Sequence, residues 1–449
     1  MNRILLRTVA GVLAAFPLLM VGAQEEEEVN ADLNNSGGFA VSTSGELQSL
    51  AVAGTQKKSF GKDHAYFAVS GTITFNPSMT TTKGVTLGGN VGLSADASMG
   101  QQCQSGISEA YLSAAGNFGE FQFGNQSSAA DEMSIDGTTV LGGQEGAAGS
   151  IANVFNVSGG SLLQTGITAD DGIATKIIYM SPILKGAQLG VSYTPNSQSV
   201  GMLQNVTNIN YQYHMAPYVT QGNLQNETDD SGFKTPNANE KHSRSNPSSL
   251  PAKDDDLSAG AFYLNGVTAA LAYNYGSDEA FNLALAGCGW YGQGKPQAPG
   301  DGRVVEDLIA FQVGGTIGYK IFKLAIGYAD NLKSLMTKVY KASEGIQKGA
   351  DMGKVYTAGL ALEYKSWKAS AGYYHSVKKY AEKGDQTTGQ VITGTVDYKI
   401  LDGVVAYGEF DHVRTKGRST KEKRSWVNST TPFEDNQGNF FWLGTKINF

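Results

Sequence analysis

The sequence predicts an all-β chain closed into a transmembrane antiparallel β-barrel of sixteen strands. Three observations carry that reading. Segments of about ten residues with period-two alternation of apolar and small or polar side chains recur along the chain. The connections between them mostly alternate between very short turns and long polar segments. After the first residues, no stretch approaches the roughly 18 uncharged apolar residues of a spanning helix, so any membrane crossing falls to strands.

The first element is MNRILLRTVAGVLAAFPLLMVGA, residues 1–23. Arg3 and Arg7 precede an apolar run from Val9 to Val21, and small residues follow at Gly22 and Ala23. This is the pattern of a secretory signal peptide cut after Ala23. A membrane anchor fits less well, because the run is short and interrupted by Pro17. Residues 24–37 form an acidic, polar lead-in, and 38–449 carry the barrel.

The sixteen segments are 38–55, 63–76, 84–97, 106–115, 118–125, 172–181, 185–194, 257–264, 267–275, 305–319, 321–330, 353–365, 366–376, 389–400, 403–414 and 439–449. Tight turns are expected at Asn265-Gly266, Lys320, Lys365-Ser366 and Leu401-Asp402, with Asn-Gly and Asp402-Gly403 as strong hairpin signals. The long connections are 126–171, 195–256, 276–304, 331–352 and 415–438. The segment AFNLALAGCGWYG, 280–292, is assigned to a loop, because counting it would break the alternation. Short turns on one rim and long loops on the other describe an outer-membrane barrel; a soluble sandwich has no reason to sort its loops this way.

The faces agree. Ile309, Phe311, Val313, Ile317 and Tyr319 share one face of 305–319, and Gln312, Gly314, Thr316 and Gly318 share the other. Tyr356, Leu360, Leu362 and Tyr364 oppose Thr357, Gly359 and Glu363. Lys368 falls mid-pattern on the small face of the next segment. A filled core would not take Glu363 and Lys368, whereas a water-filled lumen would. Tyr and Trp near strand ends fit aromatic girdles.

Composition narrows the function classes. The 449 residues are 41% hydrophobic with mean hydropathy -0.24, and 57 Gly and 21 Tyr stand against 11 Pro. Such numbers suit alternating barrel strands and soluble all-β proteins alike. With a net charge of -7 the chain is a poor candidate for nucleic acid, which needs clustered Lys and Arg, so no nucleic-acid partner is expected. Cys103 and Cys288 lie far apart without a CxxC, and one disulfide or two free thiols both stand open. The five histidines are scattered, with no HExxH, Gly-x-Ser-x-Gly or Walker pattern. No enzyme activity, metal or cofactor is expected.

SGISEAYLSAAGNFGEFQFGNQ, residues 105–126, resembles the general porins of Gram-negative bacteria, through Glu-Ala-Tyr-Leu, then Gly-x-Phe-Gly, then a strand ending in Gly-x-Gln. DGIATKIIYMSPILKGAQLGVSY, 171–193, is similar to the strand pair that follows the third loop in that family, and the terminal NFFWLGTKINF is similar to its C-terminal strand. The resemblance implies a sixteen-stranded barrel in outer-membrane lipid, usually a homotrimer, with short periplasmic turns and a third loop folded into the pore. It implies passive diffusion of ions and small hydrophilic solutes. It also makes Phe441, Leu443, Ile447 and Phe449 an assembly signal read by the barrel-assembly machinery.

The third loop is then 126–171, with Asp131, Glu132, Asp136, Glu145, Asp170 and Asp171 and no Lys or Arg. Asp170 and Asp171, beside a strand start, read equally as solvated loop charges. Wall residues with lumen phase are Glu109, Glu120, Lys176, Glu363, Lys368, Asp397, Lys399, Glu409 and Asp411, with Arg303 a further basic candidate. Carboxylates in a narrow passage favour cations, so cation preference is expected. Many general porins set an arginine cluster opposite the acidic loop; this chain has no Arg between Arg7 and Arg244, which implies a weaker transverse field. Two rival readings are a barrel whose loops act in adhesion or structural interaction, and a substrate-specific channel. Against the second, there is no Lys or Arg ladder, and Tyr111, Tyr374 and Trp442 make no continuous aromatic track.

Overall fold

The computed structural model describes residues 38–57, 65–96, 104–149, 151–157, 163, 165–167, 172–198, 261–277, 280–296, 304–338, 351–379, 386–417 and 435–449. The leader, the acidic lead-in, nearly all of 195–256, and Cys103, Asp170, Asp171 and Arg303 lie outside the described residues.

In the first half the strands are β1 (Phe39–Gln56), β2 (Ala65–Thr80), β3 (Thr86–Asp96), β4 (Gln104–Gly116), β5 (Gly119–Gln126), β6 (Ala174–Met180), β7 (Ala187–Asn196) and β8 (Ala261–Ser277). Then come β9 (Phe281–Pro296), β10 (Val304–Val305), β11 (Leu308–Tyr319), β12 (Phe322–Asp330), β13 (Thr337–Lys338) and β14 (Lys354–Tyr364). The last four are β15 (Trp367–Lys379), β16 (Gln386–Leu401), β17 (Val404–Lys416) and β18 (Asn436–Asn448). Sixteen of them form one closed barrel in chain order, and the two-residue β10 and β13 pair separately between outer loops. The terminal strand closes the ring antiparallel to β1, from Glu46 opposite Asn448 to Gln56 opposite Gly438. Closure leaves no sheet edge, which is what lets strands cross a bilayer.

The strand count matches the expectation, but its partition does not. The described part of 257–264, from Ala261, does not form a hairpin with 267–275 about Asn265-Gly266: β8 is one strand, and the register against β9 shifts between Leu264 and Val267. Asn265 takes φ 51, so the Asn-Gly pair supplies its left-handed residue to a bulge instead of a turn. The segment 280–292 is not loop. It is the body of β9, paired with both β8 and β11. The hairpin between β8 and β9 turns after Gly276, at φ 92. With these two corrections the alternation of short turns and long loops runs through this stretch as well.

Outward residues are apolar and exposed, as a lipid-facing band requires. On β14 these are Tyr356, Leu360, Leu362 and Tyr364, while Val355, Thr357 and Ala361 face in and are buried. On β18 Phe441, Leu443 and Ile447 face out, and Phe440 and Trp442 are buried inside. Aromatic residues collect toward the strand ends. Trp367 meets Tyr398 with centroids 4.7 Å apart at the short-turn rim, and Phe311, Tyr328 and Tyr356 run in a row nearer the long loops.

Candidate functional site

The long connection between β5 and β6 lies inside the barrel and runs along its inner wall. It leaves β5 through a helical turn, Ala129–Met133, capped by Ser128, whose hydroxyl accepts the Asp131 N–H. Ala129 and Ala130 are fully buried, and this turn rests on β7, where a Cβ at Gly190 would meet the Met133 sulfur. The chain then crosses β11, β12, β14 and β15 at close range. Cβ atoms at Gly314 and Gly359 would lie 1.9 Å from the Ile135 carbonyl oxygen and 2.0 Å from that of Gly137. Gly327 and Gly372 make the same room for Asp136 and Leu141. The glycines with lumen phase are therefore a seat for the loop backbone.

Polar wall residues fasten the next stretch. The Gly137 N–H donates to the Thr357 hydroxyl (2.7 Å), Lys368 Nζ donates to the Leu141 carbonyl (2.9 Å), and the Gly142 N–H donates to Ser370 (3.0 Å). The Gly143 N–H donates to Asp397 (3.1 Å), and the N–H groups of Gln144 and Gly146 donate to the two oxygens of Glu409. Gln144 Nε2 also donates to the Tyr407 hydroxyl. Gly143, Glu145 and Gly146 all have positive φ, which turns successive N–H groups toward the wall. Beyond this, Ile151, Val154 and Phe155 are buried, and Phe155 meets Phe440 edge-on. Gln56 of β1 donates to the Val154 carbonyl and accepts from the Asn156 N–H, so the loop reaches the barrel's closing seam.

This geometry separates the candidate residues. Glu132 and Glu145 are exposed to the lumen and Asp131 partly so. Asp136 is taken up by its own turn, accepting from the N–H and hydroxyl of Thr138, each at 2.7 Å. Asp397 and Glu409 lie under the loop and hold it, and Asp411 is fully buried, accepting from Thr393 and from Trp442 Nε1. Lys176 is 1% exposed and donates to the Gly172 carbonyl. Lys399 pairs with Asp402 at the short-turn rim, remote from the loop. Glu109 accepts from Ser127, and Glu120 from Gln122. Glu363 lies between Lys323 and Lys368, at 2.9 and 3.9 Å.

Desolvation inside the barrel pushes the Glu132 carboxyl up to about 7, with Glu109 and Glu120 adding to the rise and Lys176 opposing it. Burial also raises Glu145, against the attraction of Lys446. Lys323 and Lys446 are lumen bases that did not stand out among the sequence candidates. Their phase gave the signal: Lys323 alternates with the outward Phe322 and Leu324, and Lys446 shares the inward face of Trp442.

A closed antiparallel barrel with a glycine-seated inner loop and a charged inner wall defines a channel-type outer-membrane barrel. Residues 10–418 match the Gram-negative porin family, and the chain belongs to it. Among solved structures it is similar to the anion-selective porin of Comamonas acidovorans, at 14% identity over 92% of this chain and 100% of that one, TM-score 0.52. It is similar to Salmonella typhi OmpF in complex with daunomycin, at 13% identity over 91% and 97%, TM-score 0.53. These likenesses show the shared fold. Among curated sequences, a Rickettsia bellii protein without assigned function is 24% identical over 62% of this chain and 57% of its own length. One from Rickettsia conorii is 22% identical over 74% of each. The chain thus spans 57% of the length of the first of these relatives.

Proposed function

We propose that this chain is exported by a leader cleaved after Ala23 and forms, as a homotrimer in the outer membrane, a water-filled channel for passive diffusion of ions and small hydrophilic solutes, with a preference for cations. The observation that carries the reading is the inserted loop. It presents Asp131, Glu132 and Glu145 to the lumen and has no Lys or Arg of its own. Of the bases beside it, Lys368 donates to the Leu141 carbonyl, Lys323 pairs with Glu363 and Lys176 is buried against the Gly172 carbonyl, while Lys446 attracts Glu145. An excess of lumen carboxylates attracts cations and repels anions. The trimer rests on the family and on the trimer form of Vibrio cholerae OmpT, which has the same fold at TM-score 0.51. Phe449 and its outward partners serve assembly by the barrel-insertion machinery.

The test of selectivity is the reversal potential of the refolded mature protein in a planar bilayer under a KCl gradient. A cation-side potential that moves toward zero in the triple variant Asp131→Asn, Glu132→Gln, Glu145→Gln is expected. Anion preference in the unaltered protein would overturn the charge assignment.

A further inference from the structure

A cavity of about 360 Å³ opens on the inner wall between the inserted loop and the short-turn rim. Thr139 of the loop roofs it, and Asn274 of β8, Thr316 of β11, Lys323 of β12, Glu363 of β14 and Lys368 of β15 line it. Neighbouring lumen positions are the small Ala284 and Gly318, and the Asn282 side chain lies over Gly318 at the cavity's edge. Its volume falls at the lower end of the range for small-molecule sites, roughly 300–1,000 Å³.

The charges are two ammonium groups about one carboxylate. Glu363 receives Lys323 on one oxygen and Lys368 on the other. Lys368 also donates to the Leu141 carbonyl. Each ammonium carries three donors, so the group holds a surplus of donors and a net positive charge beside the acidic loop. Amide and hydroxyl groups of Asn274, Thr139 and Thr316 complete a polar surround.

We propose that this cavity binds small monocarboxylates carrying hydroxyl groups, with Lys323 and Lys368 taking the carboxylate and Asn274, Thr139 and Thr316 the hydroxyls. The site adds to the channel reading a resting place for one class of anion. It lies on the short-turn side of the loop, so such a solute reaches it from that side without passing Glu132. An acidic passage repels anions in transit, and a donor-rich shelf behind it retains them.

The test uses the full mature chain and gluconate as the probe. Equilibrium binding to the detergent-solubilised barrel reads the site without requiring conduction. Saturable binding is expected, weakened about tenfold or more by Lys323→Gln and restored by Lys323→Arg. It is expected to weaken between about 0.1 M and about 1 M KCl as the Debye length falls from about 10 to about 3 Å. Lys446→Gln removes the same charge from the lumen outside the cavity and is expected to leave binding in place. In planar bilayers, gluconate added on the short-turn side is expected to reduce the current saturably, and more than when added on the other side. No saturable binding, or equal losses in Lys323→Gln and Lys446→Gln, would overturn the proposal. The reversal potential in the same bilayers reports the cation preference independently.

Discussion

Replacing Gly359 by alanine should narrow the channel, although alanine ordinarily stabilises a strand relative to glycine by about 0.5–1 kcal/mol. The added methyl would lie 2.0 Å from the Gly137 carbonyl oxygen and 3.0 Å from a Val140 methyl, and contacts under 3.0 Å are essentially never made by real Cβ atoms. The wall strand is held on both sides by ladders to β12 and β15, so the loop is the part that gives. It must retreat by about 1 Å or more, and the free direction is toward the channel axis. That movement stretches the 2.7 Å bond from the Gly137 N–H to Thr357, a loss of about 1 kcal/mol, and overpacking adds about 1–3 kcal/mol. Single-channel conductance is the assay. Gly394→Ala on β16 is the control, because a Cβ there meets nothing within 4 Å. Reduced conductance in Gly359→Ala with unaltered conductance in Gly394→Ala is expected. Equal, unaltered conductance in both would refute the seating of the loop on the glycine wall.

Further outcomes are expected. Because the Glu132 carboxyl is raised to about 7, its charge is present above that pH and lost below it. Cation preference, read as reversal potential, should fall as pH drops from about 8 to about 6, and Glu132→Gln should remove most of that step. Leu360→Arg on the outward face of β14 should destabilise the folded barrel by about 2–4 kcal/mol in lipid, measured by reversible denaturant titration. Glu409→Ala removes the acceptor for two loop N–H groups and should raise open-channel current noise, as the 143–146 stretch loses its attachment.

Much of the fold was legible because strand alternation is local. The outward faces of 305–319 and 353–365 and the C-terminal strand follow from period two alone. The Asn265-Gly266 pair is ambiguous in sequence because a left-handed residue serves a bulge as well as a turn, and only the pairing partner tells which. The segment 280–292 reads as loop for the same reason: with a hairpin at 265–266, a further strand there breaks the alternation of short turns and long loops. The candidate site was less legible. Phase puts Asp397 and Glu409 on the lumen side, but phase does not reveal that a loop more than two hundred residues earlier in the chain covers them and donates its N–H groups to them. The lumen glycines likewise read as strand packing until the loop backbone is seen against them.

The described barrel is expected to enclose a continuous aqueous path beside a wall-bound loop. Single-channel recording of the refolded mature protein in a planar bilayer tests it most directly. Stepwise, ohmic current is expected that scales with salt concentration, falls with neutral polymers small enough to enter the pore, and is unaffected by those above a defined size. A correctly folded, membrane-inserted barrel that passes no current would contradict it.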